Sequence, residues 1–141
     1  MKYIAYGSNM NLEAMAYRCP YSKPIKVGYI SGWRLYFNDV ASIEKADSNI
    51  KLPVVMWEID ERDWDALDRY EGCPDLYRKE TIKFENEDCI VYIMNDDEAE
   101  NKYYMPWAGY LATIAQGYSD FDLDIKILNE ALEYTKKKGR G

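Results

Sequence analysis

The chain has 141 residues, 48% hydrophobic and 30% charged, which suits a single domain over residues 1–141 whose core needs no disulfide staples. Its net charge is −7; setting aside the last six residues, which hold four cations and no acid, leaves 14 basic against 25 acidic side chains, a net of −11 that phosphate backbones and anionic membranes repel. Histidine is absent, which excludes a Ser-His-Asp triad, a Cys-His pair, imidazole metal ligands and imidazole acid–base catalysis, so that proton transfer falls to a carboxylate, Lys, Tyr or Cys.

In chain order, residues 2–6 carry strand formers (Tyr3, Ile4, Tyr6) and are broken by Gly7-Ser8-Asn9. Asn9 or Asn11 is placed to cap a short helix through Leu12, Met15 and Ala16. Residues 25–37 have strand composition, with Gly28 and Gly32 predicted to bend or bulge it. A short strand follows at 41–44 and a stronger one at 52–59, with Pro53 near its start. Asp60 is expected to cap a helix in a box-like arrangement with Asp63, and Gly72 to end it. Residues 76–84 and 89–94 read as a strand pair joined through 85–88, and 95–102 as a solvated acidic loop. A helix is predicted from Pro106 to near Gly117, and a last one capped by Asp122 or Asp124, its basic end (Lys136, Lys137, Lys138, Arg140) solvated at the negative pole of the dipole. Strands in the middle and helices at the end make the class α+β.

Two segments carry chemistry. Tyr6-Gly7-Ser8-Asn9-Met10 is a strand turning tightly into a helix; its successive amides at a positive helix end suit a carboxylate or phosphate, although the same residues also make an ordinary turn with an Asn cap. In Leu67-Asp68-Arg69-Tyr70-Glu71-Gly72, helical spacing puts Glu71 on the face of Trp64 and Leu67. Burial and the helix C-terminus would both raise its pKa, as a general base or acid near neutrality requires; if the helix ends early, Glu71 turns to solvent instead. Fourteen tyrosines supply apolar walls with polar tips. Tyr77, Tyr104 and Tyr110 lie near these segments, where any of them can equally be core packing.

The three cysteines, Cys19, Cys73 and Cys89, are odd in number and widely spaced, which suits a reducing compartment rather than a disulfide framework or a zinc site. Cys73 has no partner base that would make it a nucleophile. Asp120-Phe121-Asp122-Leu123-Asp124 starts like a calcium loop but has Ile125 and Ala131 where Gly and Glu are required. No apolar run reaches membrane-span length and residues 1–9 do not read as a signal peptide, so the expected location is the cytoplasm.

Taken together, Tyr6-Gly7-Ser8-Asn9-Met10, Gly32-Trp33-Arg34-Leu35-Tyr36-Phe37, Leu67-Asp68-Arg69-Tyr70-Glu71-Gly72, Tyr77 and the segment from Tyr110 to Gly117 resemble, in order, the γ-glutamylcyclotransferase-like family that includes the AIG2-like proteins. The resemblance covers residues 2 to 123. It implies a compact mixed β-barrel or sheet with flanking helices and a small-molecule γ-glutamyl substrate. It implies that Tyr6, Gly7, Ser8, Asn9 and Met10, with Tyr77 and Tyr110, bind that substrate and that Glu71 moves its protons. The α-amine then attacks the γ-carbonyl, giving 5-oxoproline and a free amine or amino acid, with no metal or cofactor. The glutathione-specific branch is similar but carries Leu where this chain has Asn9. Around Pro53-Val54-Val55-Met56 the family's Gly-x-Val-x-Gly pattern lacks both glycines, which bears on one cavity wall. A non-catalytic member of the fold that holds a small carboxylate is the alternative function.

Overall fold

A computed structural model describes the backbone of residues 1–140 and the side chains of residues 1–139. The strands and helices are β1 (Lys2–Ala5), α1 (Leu12–Arg18), β2 (Lys23–Ser31), β3 (Trp33–Asn38), β4 (Val40–Lys45), β5 (Lys51–Glu58), α2 (Trp64–Glu71), β6 (Tyr77–Phe84), β7 (Glu87–Met94), α3 (Ala108–Asp120) and α4 (Ile125–Arg140). Single 3₁₀ turns stand at Ser8–Met10 and Glu61–Asp63. The α+β reading holds. Five strands form a mixed sheet in the order β2-β5-β1-β7-β6, and β3-β4 is a separate hairpin, so that no closed barrel forms among the described residues.

β1 is the middle strand, antiparallel to β5 and parallel to β7 through Tyr3 and Ile90. Its position explains its composition. Tyr3, Ile4 and Ala5 are all buried, as are Val54 to Trp57 of β5 and Val91 to Met94 of β7, so these strands are near-continuous apolar runs rather than alternating ones. The chain leaves β1 into the turn at Gly7, which therefore starts at the centre of the molecule.

The strands fall where composition placed them; several local readings change. Gly32 breaks β2 from β3 at φ +82°, as expected, but β2 runs straight through Gly28, and its irregularity lies between Pro24 and Lys26. The bare Cα of Gly28 instead makes room for the Phe84 ring, which a Cβ would meet at 2.6 Å. Asp60 caps the turn before α2 through the Arg62 amide, but Asp63 completes no capping box: its buried carboxylate accepts from the Tyr21 amide and the Ser22 hydroxyl, tying down the α1–β2 connection. Glu85 and Asn86, both at positive φ, turn β6 directly into β7, so the strand begins at Glu87. In the acidic loop, Asp96 is buried and accepts from the Tyr36 hydroxyl and the Asn38 amide. Helix α3 starts two residues after Pro106 and runs through Gly117, because Gly117 is a contact rather than a stop: a Cβ there would lie 3.0 Å from the backbone of Met10 and Asn11. Asn11, not Asn9, caps α1 through the Ala14 amide, and Asp124 caps α4 through the Lys126 amide. No helix of the described residues is long and apolar enough to cross a membrane.

The hairpin is locked through both of its strands. Ser42 accepts from the Met94 amide at the end of β7, and Thr135 of α4 accepts from the Phe37 amide. These bonds hold β4 beside the turn that follows β1, and so complete a cavity.

Candidate functional site

A cavity of about 260 Å³ opens where the turn after β1, the end of α2, the start of β4 and the loop into α3 meet. Six of the 14 tyrosines line it: Tyr3, Tyr6, Tyr70, Tyr77, Tyr92 and Tyr110. Gly7, Ser8, Asn9 and Glu71 complete the polar part of the wall. Of the candidate residues, Tyr6, Gly7, Ser8, Asn9, Glu71, Tyr77 and Tyr110 thus converge on one space although up to 104 positions separate them in sequence. Met10 does not line it; the side chain is fully buried in the core. Tyr104, half-exposed, pairs with Asn38 at the hairpin tip and lies outside the wall.

Glu71 is the last residue of α2, which Gly72 stops in the left-handed conformation at φ +62°. Asn9 donates from Nδ2 to Glu71 Oε1 at 2.9 Å and to the Tyr3 hydroxyl at 2.9 Å, so both amide hydrogens are engaged. Arg18 of α1 donates to Asn9 Oδ1, and its guanidinium lies 3.3 Å from the centre of the Tyr70 ring. Tyr70 and Ser8 share a hydroxyl–hydroxyl bond of 2.9 Å. Asn9 is therefore a bracket whose amide fixes the carboxylate and whose carbonyl is fixed by a cation. Burial pushes the Glu71 carboxyl up from 4.5 to about 7; Arg18 and the Asn9 hydrogen bond oppose that shift, and Asp68 adds to it. Burial, reinforced by the Glu71 charge, keeps the Tyr3 and Tyr6 hydroxyls protonated, so the surrounding phenols act as neutral hydrogen-bonding groups.

The turn beside Glu71 has free donors. Gly7 and Ser8 carbonyls accept from the Met10 and Asn11 amides, closing the 3₁₀ turn. Among the described residues, the amides of Gly7, Ser8 and Asn9 have no acceptor, as the first donors of any helical turn. The backbone is packed closely: a Cβ on Gly7 would lie 3.3 Å from the Ala41 Cβ. Ala41 itself is clamped, donating from its amide to the Tyr110 hydroxyl at 2.9 Å and accepting at its carbonyl from the Tyr77 hydroxyl. The Tyr77 hydroxyl thus bonds Ala41 rather than Glu71. Tyr6 donates to the Tyr92 carbonyl at 2.6 Å, and Tyr92 to the Asp68 carboxylate, which Lys79 also holds.

Sequence reasoning passed over Arg18, Tyr3, Tyr70, Tyr92 and Trp107. Tyr3 and Tyr92 were findable as bulky polar-tipped residues in strands otherwise apolar; Arg18 was not, because its partners Asn9 and Tyr70 meet it only in the fold. Cys73 is a free thiol pushed up by burial and lies outside the cavity wall, as do Cys19 and Cys89, both buried. Among the described residues no group of three or more His, Cys, Asp or Glu side chains is placed to hold a metal ion.

The geometry sets a turn with free amides beside a carboxylate pushed up to about 7, on a scaffold with known counterparts. Residues 3–111 match the family described as gamma-glutamyl cyclotransferase, AIG2-like, and the chain belongs to that family. The match stops at Leu111, short of the rest of the motif running to Gly117. A comparison with curated proteins finds no match. Among solved structures, an uncharacterized protein from Homo sapiens, loc79017, superposes with a TM-score of 0.72 at 21% identity, over 97% of this chain and 85% of that one. A structure described as gamma-glutamyl cyclotransferase gives 0.71 at 21% over the same shares. YkqA from Bacillus subtilis gives 0.71 at 18% over 96% of this chain and 54% of its own. At these identities the likeness is one of fold.

Proposed function

We propose that this chain is a metal-independent γ-glutamyl cyclotransferase that converts a γ-glutamyl amine or amino acid to 5-oxoproline and the free amine. The observation that carries the reading is Glu71: a carboxylate with its pKa pushed to about 7, bracketed by Asn9 at 2.9 Å, in a cavity whose adjoining turn offers three amides unpaired among the described residues. Family membership supplies the reaction class. The free cysteines suit a cytoplasmic, single-domain enzyme.

The amides of Gly7, Ser8 and Asn9 hold the substrate's α-carboxylate, which sets the α-ammonium against Glu71. Ionised Glu71 takes a proton from the ammonium, and the freed amine attacks the γ-carbonyl carbon of the same molecule. A five-membered lactam C–N bond forms. The attacking nitrogen gives up its second proton by way of the same carboxylate, and Glu71 passes the two protons, one after the other, to the departing nitrogen as the original amide C–N bond breaks. One ammonium is consumed and one formed, and Glu71 ends ionised as it began. The cavity supplies the folded conformation of the substrate, an advantage of orientation rather than of new chemistry. Tyr6, Tyr77 and Tyr110 shape the wall, the last two by clamping Ala41. Met10, the last residue of the turn, anchors it to the core through its buried side chain.

Incubation of the pure protein with a panel of γ-glutamyl dipeptides and γ-glutamyl amines, read by mass spectrometry, tests the reading. 5-Oxoproline is expected with at least one of them. Binding of panel members or of 5-oxoproline with no turnover would assign the chain to the non-catalytic carboxylate binders instead.

A further inference from the structure

The inner and outer parts of the cavity differ in chemistry. Tyr3, Tyr6, Tyr77 and Tyr92 at its base are buried, whereas Tyr70, Leu76 and Trp107 are 43%, 48% and 58% exposed at its rim. The Trp107 ring lies 4.9 Å from that of Tyr110 at a 33° tilt, so its inner neighbour is part of the same wall. One face of Tyr70 is covered by Arg18, and its hydroxyl is tied to Ser8, which fixes the ring at the rim. Glu71 is the one charged side chain among the residues lining the cavity.

A volume of about 260 Å³ sits below the roughly 300–1,000 Å³ of pockets that enclose drug-sized ligands. The polar base therefore accommodates the γ-glutamyl group, and whatever is attached to its amide nitrogen extends outward across the rim. There it meets two exposed aromatic rings and a leucine side chain, none of them charged. Such a surface rewards a flat apolar group, through area removed from water and ring-on-ring contact.

We infer that Trp107, with Tyr70 and Leu76, forms a seat for an aromatic group on the leaving amine, and that this seat sets the preference among γ-glutamyl substrates. The inference rests on the γ-glutamyl reading of the cavity. Trp107 acts by binding and has no part in the proton transfers. Its exposed ring lies outside the core, so truncation removes the seat without opening a buried cavity.

The test measures binding where turnover cannot interfere. Glu71→Gln protein is titrated by calorimetry with γ-glutamylphenethylamine and with γ-glutamylmethylamine, which differ only in the aromatic arm. The aromatic ligand is expected to bind at least about tenfold more tightly. Adding Trp107→Ala is expected to abolish that preference, and Trp107→Phe to retain most of it. Equal affinities, a preference that survives Trp107→Ala, or no binding of either ligand overturns the seat. 5-Oxoproline formation by the wild-type protein is read separately: its absence alongside an intact aromatic preference counts against the cyclotransferase reading and leaves the seat standing.

Discussion

At the scale of single residues, the site depends on how Glu71 is held. A carboxyl with a pKa near 7 is half ionised at neutrality, and it works as a base only when ionised. The kcat/KM of the wild-type protein is therefore expected to fall as pH drops through about 7; a limb centred near the ordinary glutamate value of 4.5 would show that burial does not govern this group. Arg18 opposes the upward shift. Arg18→Met is expected to move the acid limb to higher pH, whereas a purely structural arginine would lower the rate without moving the limb. The same shift has a stability consequence of fixed sign. The folded state holds the Glu71 proton to higher pH than the unfolded chain, so native protein binds more protons between pH 4.5 and 7 and its stability declines as pH rises across that window. Urea titrations at pH 5 and pH 8 are expected to reveal this decline in the wild type and a smaller one in Glu71→Gln.

At the scale of elements, the turn from Gly7 to Met10 is held between β4 on one side and α3 on the other. Gly117→Ala puts a Cβ 3.0 Å from the Met10 and Asn11 backbone, so the helix or the turn must move. A loss of about 1–3 kcal/mol is expected from denaturant unfolding, with reduced 5-oxoproline binding because the amides shift. Gly7→Val, which meets Ala41, is expected to weaken binding more than Ser8→Ala, which leaves the amides in place. Elements were the most legible level of the sequence. Apolar runs marked β1, β5 and β7, Gly32 and Gly72 marked real breaks, and the spacing of Trp64, Leu67 and Glu71 gave the inward face of α2 correctly. What composition could not give was the partner of a residue. Gly28 and Gly117 read as breaks because their use is to admit a ring and a backbone from distant elements. Asp63 and Asp96 read as a cap and a solvated acid because their donors, Ser22 and Tyr36, are 41 and 60 residues away. Arg18 meets Asn9 and Tyr70 only once the chain has folded, and nothing local ties the Tyr77 hydroxyl to the Ala41 carbonyl.

At the scale of the molecule, the cavity is closed by a hairpin that the central sheet does not include. α4 holds that hairpin: Thr135, buried, accepts from the Phe37 amide and donates to the Ala131 carbonyl. Thr135→Val keeps the shape but leaves the Phe37 N–H buried and unpaired, which is expected to cost about 1–3 kcal/mol by chemical denaturation. An unchanged midpoint would mean that the hairpin is held by packing alone. Its position matters because β4 carries Ala41, through which Tyr77 and Tyr110 shape the wall beside the turn.

In the proposed reaction one carboxylate moves the protons while a separate turn holds the ligand. The most direct test is Glu71→Gln, assayed for 5-oxoproline formation by mass spectrometry and for 5-oxoproline binding by calorimetry. Turnover is expected to fall by at least about 10²–10⁴ while binding persists, because the substituted side-chain amide still accepts from Asn9 but takes no proton from an ammonium. Unchanged turnover would remove Glu71 from the mechanism, and loss of binding together with turnover would make it a structural residue; either result contradicts the account.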